Sequence, residues 1–238
     1  MINPKTLKST ICILVLSVII MMSSTGYSES SGSSTNTYKR ALEITSASDA
    51  KNLLVEGNQR FVSGKVLKDD LSESKRKDLL TKGQHPFAVI VSCSDSRVPP
   101  EIIFDQGLGD LFIVRDAGNI VDSLALGSVE YGAEHLHAPL IIVLGHENCG
   151  AIKATVDGGE VEGNIKSIVA KIKPAFEKVK SLSKDKNVLY EKCEDENIKN
   201  TVTEINNSLI IKKLKEEKKI NVIGAKYDID TGKVNFLQ

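Results

Sequence analysis

The sequence contains no tryptophan, no excess of either charge and no apolar run long enough to span a bilayer. Lysine plus arginine and aspartate plus glutamate stand at 31 each, so nothing in the charge balance points to nucleic acid. The longest apolar segment, Ile11 to Met22, has about a dozen residues against the roughly 20 that a membrane helix needs, which argues against a permanent membrane anchor. Cysteine is scarce, with 4 in the chain, and Cys12 lies inside that apolar segment. Setting it aside leaves Cys93, Cys149 and Cys193, an odd set that makes a poor disulfide framework. No internal repeat stands out.

The 238 residues suffice for one α/β domain with a substantial core. Lys5 and Lys8 precede the apolar segment and the small residues "SSTGYS" follow it, the layout of a secretory signal peptide over residues 1–28. The chain is therefore expected to be exported, to a periplasm or beyond, with cleavage between Tyr27 and Glu29. Loss of two lysines would take the mature chain to a formal charge of about −2. Residues 29–37, including "SSGSSTN", read as a flexible linker, and residues 38–238 as a single folded domain.

Apolar spacing from Ala41 to Gly64 predicts two N-terminal helices or one broken helix, with Ser46 or Ser48 as a cap. Four continuous apolar runs predict buried parallel strands: Phe87 to Ser92, Leu111 to Arg115, Leu140 to Leu144 and Ile220 to Ala225. Helical stretches are expected over 123–135, 164–180 and 195–218. Asp230-Thr231-Gly232 lies between two short strand-like pieces and predicts a C-terminal hairpin. The fold class is thus α/β: a mainly parallel central sheet flanked by helices, with an N-terminal helical arm.

Reactive groups in such sheets gather beyond the carboxyl ends of the strands. One strand runs into "SCSDSR" and another into "GHENCG", which brings Cys93, His146 and Cys149 to the same edge. Two thiolates and an imidazole suit zinc and leave a fourth position open, as in catalytic sites. Gly145 and Gly150 beside the His-x-x-Cys pair are expected to let the backbone turn sharply there. Taken singly, Cys93 reads as a small core residue and His146-x-x-Cys149 as unremarkable; their conjunction with a charged pair changes that. Asp95 and Arg97 are two residues apart and can meet on one side of the chain, and a bidentate arginine would keep the carboxylate from taking the open metal position.

With these segments the chain resembles the β-class carbonic anhydrases, in particular those with a plant-type active site. "CSDSR" and "GHENCG" match the two signature segments in order, and "GNQRF", "EIIFDQGLGDLFIVRDAGN" and "YDIDTG" extend the likeness over most of the chain. The resemblance implies one zinc ion per chain on Cys93, His146 and Cys149, and an Asp95/Arg97 gating dyad. It also implies a pocket for carbon dioxide and bicarbonate formed by Gln84, Phe112 and Tyr131. It further implies a homodimer or homotetramer, with pocket residues crossing the subunit boundary and the N-terminal helices embracing the neighbour. The activity implied is reversible hydration of carbon dioxide by zinc-bound hydroxide. His135 and His137 are possible proton relays, although nothing in the sequence places them near the metal. A second, regulatory bicarbonate pocket found in some of the wider family needs a tryptophan, and this chain has none.

Two other readings stay open. One is a non-enzymatic zinc or thiol redox protein, which has no evident use for Asp95 and Arg97. The other is a related zinc-dependent hydrolase acting on another linear electrophile, such as carbon disulfide. Cys193, in "YEKCEDEN", reads as solvated surface and is not expected to reach the metal.

Overall fold

The four apolar runs become β1 (Ala88–Ser92), β2 (Leu111–Arg115), β3 (Leu140–His146) and β4 (Asn221–Tyr227), joined by a short β5 (Val234–Phe236). The computed structural model describes residues 43–237; the expected signal peptide and linker lie outside the described residues. Strand order is β2-β1-β3-β4-β5, with β4 and β5 antiparallel and the other pairs parallel.

Every residue of β1 and β3 is buried, as β-branched and aliphatic strands at the centre of a two-sided sheet should be. Alternation sorts them between two cores: Val89, Val91, Ile141 and Val143 on one face, Ala88, Ile90, Ile142 and Leu144 on the other.

The helices are α1 (Ala47–Val62), α2 (Glu73–Lys82), α3 (Pro100–Ile103), α4 (Ser123–Glu134), α5 (Gly150–Asp157), α6 (Ile165–Val179), α7 (Lys186–Asn207) and α8 (Leu209–Glu216). Ser46 caps α1 by accepting from the N–H groups of Ser48 and Asp49, and Asp122 caps α4 through Leu124 and Ala125. The helix expected over 195–218 is two. The first starts at Lys186 behind an Asp185 cap, and Ser208 leaves the helical region and caps the second. Helices α2, α3 and α5 were not foreseen; α2 buries no residue, so it carries no apolar period to read.

The expected hairpin forms between β4 and β5, and "GNQRF" in α1 holds it down. Asn58 accepts from the Val234 N–H and donates to the carbonyls of Gly232 and Ile103. Arg60 pairs with the buried Asp105. Among the described residues no helix is long and apolar enough to cross a membrane.

Candidate metal centre

Parallel pairing sets Ser92 against Leu144, so β1 and β3 release their chains side by side at the carboxyl edge of the sheet. Cys93 leaves β1 there, His146 ends β3, and Cys149 is the N-cap of α5. Asn148, with φ of 54°, makes the tight turn between the last two. The sulfurs of Cys93 and Cys149 and a ring nitrogen of His146 lie within 4.8 Å of one another, and all three residues are buried. Ligand atoms around a tetrahedral zinc stand roughly 3.5–3.8 Å apart, so small adjustments would close the group on one ion.

The imidazole fits that role. Nδ1 lies 2.8 Å from the Glu147 carbonyl, which fixes it as the protonated nitrogen, while the buried Nε2 has no hydrogen-bond partner. Such an orphan is costly unless something occupies it. The two thiols are also coupled. A hydrogen bond from Cys149 pulls the Cys93 thiol well below its ordinary pKa, against burial and with help from His146 and the Gly118 N–H; the same pairing pushes Cys149 up. The direction at Cys93 favours the thiolate, the form in which a cysteine ligates a metal.

Asp95 stands beside this group, with Oδ2 4.0 Å from His146 Nε2. Arg97 grips both of its oxygens, Nε to Oδ1 at 3.0 Å and Nη2 to Oδ2 at 2.8 Å, while its own backbone N–H gives a third bond to Oδ1. The arginine clamp lowers the Asp95 pKa to about 2. Arg97 also reaches the Asn148 carbonyl, tying this loop to the one that carries Cys149.

A residue absent from the expectations completes the frame: Arg115, at the end of β2, donates to the carbonyls of Cys93 and Asp95 at 2.9 and 2.7 Å. Its only signal in the sequence is a charge closing an apolar strand.

Three expectations are corrected. Cys193 is fully buried and packs in one cluster with Cys93 and Cys149, because α7 begins earlier than the charged sequence suggested and turns this side chain inward. Gly145 does not serve a turn: it lies within β3, and a Cβ there would stand 2.5 Å from Ile198. Gly150 starts a helix, with open space at its Cα.

The residues expected to bind substrate do not meet the thiols within one chain. Gln84 is exposed in the loop before β1. Phe112 pairs in register with Val89, which is roughly 13 Å along the strand from Cys93. Tyr131, in the last turns of α4, lies against Phe112 with ring centroids 6.1 Å apart and against His135 at 5.3 Å. These groups gather toward the amino ends of the strands, and the exposed His135 and His137 end α4 on the same side.

A family model described as carbonic anhydrase matches residues 88–234. A carbonic anhydrase of Mycolicibacterium smegmatis is 49% identical over 127 residues, 52% of this chain and 61% of that protein. Carbonic anhydrase 2 of Mycobacterium tuberculosis is 48% identical over 126 residues, 51% of this chain and 60% of that one. The chain spans about 60% of the length of these curated relatives. A solved Coccomyxa β-carbonic anhydrase in complex with acetazolamide superposes with a TM-score of 0.63 at 26% identity, covering 77% of this chain and 84% of that one. A tetrameric β-carbonic anhydrase of the ascomycete Sordaria macrospora gives 0.64 at 22% identity, over 79% and 97%, and shows the shared fold.

Proposed function

This chain belongs to the β-carbonic anhydrase family, and we propose that it catalyses the reversible hydration of carbon dioxide to bicarbonate and a proton, with one zinc ion held by Cys93, His146 and Cys149. The observation that carries this reading is the buried Cys-His-Cys group with a carboxylate clamped by arginine at its side. A zinc ion bound there supplies Lewis acidity that makes water a nucleophile near neutral pH.

The chain's own residues supply the rest. Asp95, ionised at any working pH, offers an acceptor of fixed orientation that turns the attacking water's proton aside. Arg97 occupies both carboxylate oxygens and keeps them from becoming a further metal ligand. Arg115 holds the backbone on either side of that loop. Two thiolates and a neutral imidazole cancel the charge of a divalent ion, leaving less positive charge to acidify water than three imidazoles would.

Gln84, Phe112 and Tyr131 form the substrate pocket in this reading, supplied by a second copy of the chain in a homodimer or homotetramer. Its support is the separation of these residues from the thiols within one chain, together with the exposure of Tyr131, at 47%. The chain is also proposed to be exported, on the charge and apolar pattern of residues 1–28; the amino-terminal sequence of the protein recovered outside the cytoplasm checks the processing.

The test is stopped-flow hydration of carbon dioxide on a sample of measured zinc content, across about pH 6.5 to 9. One zinc per chain and a rate that climbs with pH are expected. Zinc without hydration at any pH would overturn the assignment.

A further inference from the structure

Among the polar side chains that helix α7 buries are Glu194, at 5% exposure, and Asn197, at 2%, one turn apart. Neither belongs to the ligand set, yet each is linked to one of its cysteines through a backbone group. Glu194 Oε1 accepts the backbone N–H of Cys149 at 3.3 Å, and its Oε2 pairs with Lys226 Nζ at 3.0 Å. Lys226 lies on β4 opposite Gly145, one residue before His146 on β3. Asn197 Nδ2 donates to the Gly118 carbonyl at 2.7 Å, and the Gly118 N–H donates to Cys93 Sγ at 3.2 Å. Ile198, the next residue, fills the space that a side chain at Gly145 would need.

A helix serving only as packing has no reason to bury a carboxylate and an amide, since each costs free energy unless fully partnered. Here Glu194 is partnered by the Cys149 backbone and by Lys226, and Asn197 by the carbonyl of Gly118, whose own N–H holds the Cys93 sulfur. We infer that α7 is a positioning element of the metal centre: Glu194 sets the Cys149 loop and Asn197, through Gly118, sets the Cys93 sulfur. Both are positioning residues, since neither touches the metal position or the substrate. The inference rests on the metal reading above.

Competition with a chelator for zinc measures it, together with the near-ultraviolet sulfur-to-metal charge-transfer band of the cobalt(II)-loaded protein. Glu194→Ala and Asn197→Ala should each weaken zinc binding by roughly 10–100-fold and alter the band. Glu194→Gln, which keeps an oxygen for the Cys149 N–H, should restore most of the affinity. Asn197→Leu, close in volume but without the donor, should bind zinc as weakly as Asn197→Ala while avoiding a cavity. Ile205→Val, buried farther along α7, should lower Tm and leave zinc affinity unchanged.

Alanine variants with parental affinity and an unchanged band would overturn the inference while leaving the metal site standing. So would an affinity loss that follows Tm equally in Ile205→Val. A parent chain that binds no zinc would overturn the metal reading, and this inference with it.

Discussion

Arg97 exposes half its side chain, yet it spends three bonds on two partners, Asp95 and the Asn148 carbonyl. An exposed ion pair contributes little to stability, so its importance should appear in activity. Arg97→Ala should fold and retain zinc while carbon dioxide hydration falls by roughly 10–100-fold; near-parental activity would remove the clamp from the mechanism. This pair was legible because its members are two residues apart. Arg115 was not, because its partners are 20 and 22 residues away and meet it only once β1 and β2 pair. Cys193 shows the same limit. Burial, then the charges of Glu194 and Glu196, push its thiol from 9.0 up to about 12. At pH 8 it should resist iodoacetamide in the folded protein and react once the chain is unfolded. Because the folded pKa lies above the unfolded one, its contribution to stability is complete below about pH 9 and is lost as pH rises toward 12. Denaturant titrations of Cys193→Ala should show a shallower alkaline decline than the parent.

At the scale of elements, α1 shows how a short motif is read. "GNQRF" is recognisable in sequence, but its function lies in contacts across the fold: Gly57 lets the helix approach the Phe104 carbonyl, where a Cβ would stand only 1.8 Å from the oxygen. Gly57→Ala should therefore cost about 2–3 kcal/mol by overpacking, or roughly 5–10 °C in Tm for a domain of this size. An unchanged melting curve would show that α1 can shift without loss. The strands were the most legible elements, since each is a short continuous apolar run at the length of a buried strand, set between helical stretches. Helix α2, whose apolar residues are the adjacent Leu79 and Leu80 alone, and α5, which follows Cys149 without a side-chain cap, gave no such signal.

The whole molecule poses a question that one chain does not answer, because Gln84, Phe112 and Tyr131 stand toward one end of the sheet and the thiols at the other. If a second copy supplies the pocket, inactive Cys93→Ala and Gln84→Ala chains should complement each other. Each mixed dimer has one site with intact ligands and an intact glutamine, so random mixing should recover roughly a quarter of parental activity. No recovery, in mixtures shown to exchange subunits, would place the pocket within a single chain. The sequence by itself determined the α/β class, the four parallel strands and the Cys93, Asp95, Arg97, His146 and Cys149 group. Those features rest on local periodicity and on strand ends that any parallel sheet brings to one edge. Only the tertiary structure decided that Cys193 is core, that Gly145 yields its space to Ile198, that Glu194 reaches the Cys149 backbone and that Asn197 reaches Gly118 beside the Cys93 sulfur. Those contacts join residues tens of positions apart, 45 for Glu194 to Cys149 and 79 for Asn197 to Gly118, and no local pattern records which side of a charged helix will face inward.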